Sequence, residues 1–137
     1  MSRASIPIAL TLLLVAATIP HTAEDFRYGE FARFGVSDAV AAGALVIVYA
    51  VQLCGVVFAW RDASVGFRLM AAGGLIWSVG AIAVHGSELV ASGPYRNGLE
   101  SKALIVAIIA LGASVAIVSA MRARRKWSGR PLGSTAD

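Results

Sequence analysis

Charged side chains are scarce in this sequence: Asp, Glu, Lys and Arg supply 15% of its 137 residues, against roughly a quarter in soluble domains. With 58% of the residues hydrophobic, there is too little polar surface to wrap such a chain in water, which excludes an ordinary soluble globule. Cysteine is nearly absent. The single Cys54 sits inside an apolar run, so neither an intrachain disulfide framework nor a cysteine-rich metal site can form. Gly-rich phosphate loops, nucleophile elbows and Cys-x-x-Cys pairs are missing as well, which removes the common signatures of soluble enzymes. The net charge of +4 does not point to nucleic acid, because the basic residues collect around the apolar runs rather than along one face.

What the chain has in abundance is long uncharged stretches. Four of them, 4–23, 39–60, 69–87 and 103–121, approach the ~20 residues that carry a helix across ~30 Å of hydrocarbon. Backbone amides deprived of water must be bonded within their own segment, so the stretches predict helices. The expected fold is an all-α membrane protein, four transmembrane helices in an antiparallel bundle joined by short connections. Residues 1–127 form its single domain, and 128–137 a short disordered cytoplasmic tail. The first stretch has an alternative reading as a signal peptide cut after Ala23, but the bulky His21 three places before the cut argues for its retention. Helix contacts are expected along small residues, since lipid offers helices no hydrophobic drive to associate. Gly74 with Ser78, Ala110 with Ser114, and Ala116 with Ala120 have the required spacing.

Lys and Arg divide unevenly between the segments that join these spans. With the amino terminus in the cytoplasm, the inside segments hold Arg3, Arg61, Arg68, Arg122, Arg124, Arg125, Lys126 and Arg130, and the outside ones only Arg27, Arg33, Arg96 and Lys102. This excess predicts a multi-pass protein of the cell membrane with both termini cytoplasmic. Trp60 and Trp127 at one boundary, and Phe26, Tyr28, Phe31, Phe34 and Tyr95 at the other, fit interfacial aromatic belts. The Arg122, Arg124, Arg125 and Lys126 cluster reads as a stop-transfer anchor on anionic lipid headgroups, worth ~1 kcal/mol per basic residue.

Two short segments repeat. His21-Thr22-Ala23-Glu24 and His85-Gly86-Ser87-Glu88 lie 64 positions apart, as do Asp38 and Lys102, which precede the next spans, and Gly29 and Gly93. The offset suggests two duplicated helical hairpins, related by an axis along the membrane normal. Residues three apart share a helix face, so His21 is expected beside Glu24 and His85 beside Glu88. Imidazole and carboxylate suit zinc, iron or manganese, and Asp38 and Glu100 would add one carboxylate each to a metal site at the outer mouth.

A purely structural reading stands beside this one. Asp38 after Ser37, and Glu100 before Ser101, are placed to stabilise helix N-termini. Thr22-x-x-Asp25 resembles a capping box that starts a short helix after a helix-ending Pro20. His85 resists such an account, because ionisable groups at membrane depth are costly unless they serve a purpose. Tyr49 and Gln52, mid-span, are expected to bond across helices. Thr11, Thr18 and His21 on one helix, and Ser78 with His85 on another, trace a thin polar track unless the hydroxyls bond backbone carbonyls instead.

Three functions follow from these features. The first is an accessory or interaction subunit, embedded in the lipid bilayer and packed as a homo-oligomer or within a larger membrane complex. The second is a metal- or proton-dependent membrane enzyme, an oxidoreductase or isomerase, with its His/Glu site facing a lipid-soluble substrate. The third is a small transporter working as an oligomer, although the inner half of every span lacks charge.

Overall fold

In a computed structural model, residues 5–92, 95–96 and 98–128 are described, with side chains given as far as Arg125. Of the expected tail, 128–137, Ser128 still belongs to the last helix and the rest lies outside the described residues, as do Arg3, Gly93 and the side chains of Lys126 and Trp127. Five helices form among the described residues: α1 (Ser5–Arg27), α2 (Glu30–Arg33), α3 (Asp38–Trp60), α4 (Ser64–Val90) and α5 (Leu99–Ser128). All except α2 are long and apolar enough to cross a membrane, and no strand occurs among the described residues. The chain is thus an all-α, four-helix membrane protein, as its uncharged runs predict.

The helices outrun the apolar stretches that announced them. Helix α1 continues through Pro20 to Arg27, so Pro20 does not end it and Thr22 caps nothing; the Thr22 hydroxyl donates to the Ile19 carbonyl at 3.0 Å inside the helix. Helix α4 starts at Ser64 rather than 69 and carries Arg68 within it. Charge marks where lipid stops, whereas a helix stops where its amides lose carbonyl partners, and Pro20 forfeits a single N–H. The actual ends are turns and caps. Gly29 (φ 66) and Gly35 (φ 71) bracket α2 in the left-handed conformation that glycine adopts without penalty. The Ser37 hydroxyl accepts from the Val40 amide to start α3.

Helix α4 is the element against which α3 and α5 pack. A Cβ placed on Gly74 would stand 2.6 Å from the Gly112 carbonyl oxygen, so the α4 and α5 backbones meet there without side chains between them. Just along the seam, the Ser78 hydroxyl donates to the Ile109 carbonyl across the helices at 3.1 Å. Gly66 presses on the backbone of α3 in the same way. Of the other small-residue pairs, Ser114 bonds the Ala110 carbonyl of its own helix at 2.8 Å, and Ala110 is exposed. Leu14, Phe67, Met70, Ile105, Ile108 and Val115 fill the centre, while Val46, Ile47 and Val79 point outward as lipid-facing residues do. Thr11 and Thr18 bond carbonyls within α1, so their hydroxyls are consumed locally.

Mid-span, the Trp77 indole N–H donates to the Gln52 side-chain oxygen at 3.0 Å, joining α3 to α4, and the Tyr49 ring lies against Trp77 with centroids 5.4 Å apart. The Tyr49 hydroxyl and the Gln52 amide nitrogen have no hydrogen-bond partner. Helices α1 and α3 touch only lightly. Space remains between them.

Candidate functional site

The C-terminal turns of α1 and α4 meet the N-terminal ends of α3 and α5 at one end of the bundle. There α1 contributes His21 and, one turn on, Asp25; α4 contributes His85 and Glu88; α2 contributes Glu30 and Arg33; and the segment before α5 contributes Tyr95 and Arg96. The two imidazoles meet edge to face with centroids 4.9 Å apart. Both turn Nε2 toward the Asp25 carboxylate, His21 at 3.5 Å from Oδ2 and His85 at 3.7 Å from Oδ1. These three residues are buried, at 3%, 6% and 2% exposure for His21, Asp25 and His85.

Charged partners hold the carboxylates in place. The Arg96 guanidinium donates to Asp25 at 2.5 Å and to Glu30 at 2.6 Å, and Arg33 bridges Glu30 and Glu88, each at 2.8 Å. Glu88 in turn lies 3.2 Å from His85 Nδ1, and the Tyr95 hydroxyl 3.1 Å from the same nitrogen. Burial pushes the Tyr95 phenol above its ordinary pKa, so it keeps its proton. Burial opposes the charge on Arg96 more than any single contact favours it, but the hydrogen bond to Asp25 and the charges of Asp25 and Glu30 together hold the guanidinium above its ordinary value. The Arg96 backbone has φ 27, a sterically crowded region for a residue with a Cβ, and such strain persists only where surrounding contacts impose it. Arg96 has two such contacts, its buried ion pairs with Asp25 and Glu30.

A cavity of about 180 Å³ adjoins this cluster. His21, Asp25, Glu30 and His85 form its polar end, Trp77 its far wall, and Leu45, Val48, Gly80 and Val84 its sides, with Phe31 from α2 and Phe34 just after it. Its rim includes Phe34 and Ile76, which are 57% and 54% exposed. The cavity thus opens on the flank of the bundle that acyl chains would touch. His21 Nδ1, on the cavity-lining ring, has no hydrogen-bond partner, an arrangement that costs about 1–3 kcal/mol unless something fills the role.

Of the residues singled out from sequence, His21, His85 and Glu88 come together. Glu24 does not join them: it accepts from the Ser101 hydroxyl at 2.8 Å and ties α1 to α5, while Asp25, one residue on, faces the histidines. Asp38 and Glu100 are exposed in the first turns of α3 and α5, away from the cluster. Asp25, Glu30, Arg33, Tyr95 and Arg96 were not anticipated. His21-x-x-x-Asp25 and Glu30-x-x-Arg33 carried a readable helical spacing, but nothing in the pattern marked Arg96, a loop residue brought in by the fold. Comparison with family models, curated proteins and solved structures finds no match.

Proposed function

We propose that this small multi-pass membrane protein is an enzyme that acts on the polar head of a lipid-soluble molecule, an isomerase or oxidoreductase by class. The observation that carries the reading is the position of His21, whose ring lines the apolar cavity beside the charged cluster and whose buried Nδ1 has no hydrogen-bond partner. An engineered cavity of ~150 Å³ takes up benzene, so about 180 Å³ suits a single ring or short branched chain. The body would rest against Trp77, and a hydroxyl or carbonyl would meet His21. With acyl chains over the rim water would be excluded, and fixed charges at the polar end would then be worth more than in solution.

The same reading places the site at the outer face of a cell membrane, with both termini cytoplasmic and Arg122, Arg124 and Arg125 at the opposite end among lipid headgroups.

Gly80 supplies the test. A Cβ there meets nothing within 4 Å although the residue lines the cavity, so Gly80→Leu fills the space without pressing on the backbone. A photoreactive diazirine phenol, supplied to protein in lipid nanodiscs, is expected to label peptides that contain residues 21–25 and 76–85 in the parent and to lose that labelling in Gly80→Leu. Labelling that is diffuse, or equal in both proteins, would sink the proposal.

A further inference from the structure

We propose that His21 Nε2, His85 Nε2 and Asp25 bind a divalent transition-metal cation, with the remaining coordination position facing the cavity. This deepens the reading of the same site, yet it concerns the opposite nitrogen of His21 from the one that meets the substrate.

The distances carry the inference. At 3.5 and 3.7 Å, the two Nε2 atoms are too far from the Asp25 oxygens for good hydrogen bonds. The His21 Nε2–Oδ2 distance is close to the separation of about 3.4 Å between ligand atoms on a tetrahedral cation with bonds of about 2.1 Å, and His85 Nε2 stands against the other oxygen of the same carboxylate. All three donor atoms lie within 4.8 Å of one another, and all three residues are buried. Helices α1 and α4 thus bring two imidazoles and a carboxylate close enough for small side-chain shifts to draw all three onto one cation. Two imidazoles and a carboxylate suit zinc or iron, with an open position left for water or substrate.

The surroundings point the same way. A metal-bound histidine usually has its second nitrogen held by a carboxylate, which fixes the ring and leaves the other lone pair free for the metal. His85 Nδ1 is held so by Glu88, with Tyr95 alongside. Charge agrees as well. Asp25, Glu30 and Glu88 oppose only Arg33 and Arg96 in this network, so with neutral imidazoles one negative charge is left over. A divalent cation with one anionic ligand, a hydroxide or an ionised substrate head, brings the network to zero. The bond from Arg96 occupies Asp25 Oδ1 and leaves Oδ2, the oxygen nearer His21, for the cation. The nearby guanidinium costs affinity without taking that position. A second grouping, Glu30, His85 and Glu88, is also within ligand distance, but its carboxylates are already engaged by Arg33 and Arg96.

The test uses the full-length chain in detergent, freed of any purification tag, stripped with chelator and dialysed against Co2+. About one equivalent of cobalt is expected by elemental analysis, with the visible absorption of a four-coordinate site. Glu88→Gln, which keeps the shape of the cluster, is expected to weaken cobalt binding about tenfold. Asp38→Asn, remote from the site, is expected to leave it unchanged. Cobalt uptake by the parent no greater than by the His21→Ala, His85→Ala double variant would overturn the proposal, as would uptake insensitive to Glu88→Gln. Gly80→Leu separates the two readings: it is expected to abolish photolabelling and retain cobalt, so either can fail alone.

Discussion

Arg96 and Arg33 each pair with two carboxylates, and their surroundings assign them opposite weights. The Arg96 side chain is 7% exposed and its partners Asp25 and Glu30 are buried with it. Removing it strands two carboxylates where water cannot solvate them, so Arg96→Ala is expected to lower stability by about 3–5 kcal/mol, read as a drop in thermal unfolding temperature in detergent. Arg96→Lys should recover only part of this, because an ammonium cannot reproduce the fork that serves both carboxylates. Arg33, at 60% exposure, contributes little by comparison, and Arg33→Ala should unfold near the parent temperature. The pairing of His21 with Asp25 rather than Glu24 belongs to this scale too. Positions three and four residues on both neighbour His21 along a helix, so spacing offered both carboxylates. The choice fell to the side of α1 that packs inward, which a stretch apolar all round does not reveal.

Among the elements, α4 and α5 are held by close approach rather than by bulk. Gly74→Leu would drive a side chain into the Gly112 carbonyl and the Ala116 amide, whose atoms stand 2.6 and 2.8 Å from a Cβ at that position. Separating the helices is expected to cost about 1–3 kcal/mol, while Gly80→Ala, with open space around its Cβ, should be close to neutral in the same unfolding assay. Gly74 and Ser78 were visible as a small-residue pair; Gly112, the other half of the contact, was not, because spacing within one helix says nothing about which residue faces it. The position 64 residues before each of these glycines holds Leu10 and Val48. Side chains of that size keep backbones apart. The α1–α3 seam is accordingly the loose one, and Val48 lines the cavity found there.

For the molecule as a whole, the distribution of Lys and Arg makes the orientation testable. In a Cys54→Ser background, Ser92→Cys is expected to react with an impermeant maleimide on intact cells, and Asp62→Cys only after permeabilisation. The reverse pattern would invert the topology and move the charged cluster to the cytoplasmic face. The four crossings themselves follow from length and hydropathy, which is why the fold class was readable at once.

Sequence alone determined the solvent of this protein, the number of its long helices, and two histidines at matching points of two hairpins. Each of these depends on local composition and spacing, quantities that a linear string contains. Tertiary structure decided that Asp25 faces both imidazoles, that Arg96 arrives from a distant loop to hold it, and that a cavity opens beside them. Such contacts join residues 60 to 75 positions apart, and their geometry is set by how closely helix backbones approach. In a chain whose helices are apolar on every side, only packing tells which side is inward.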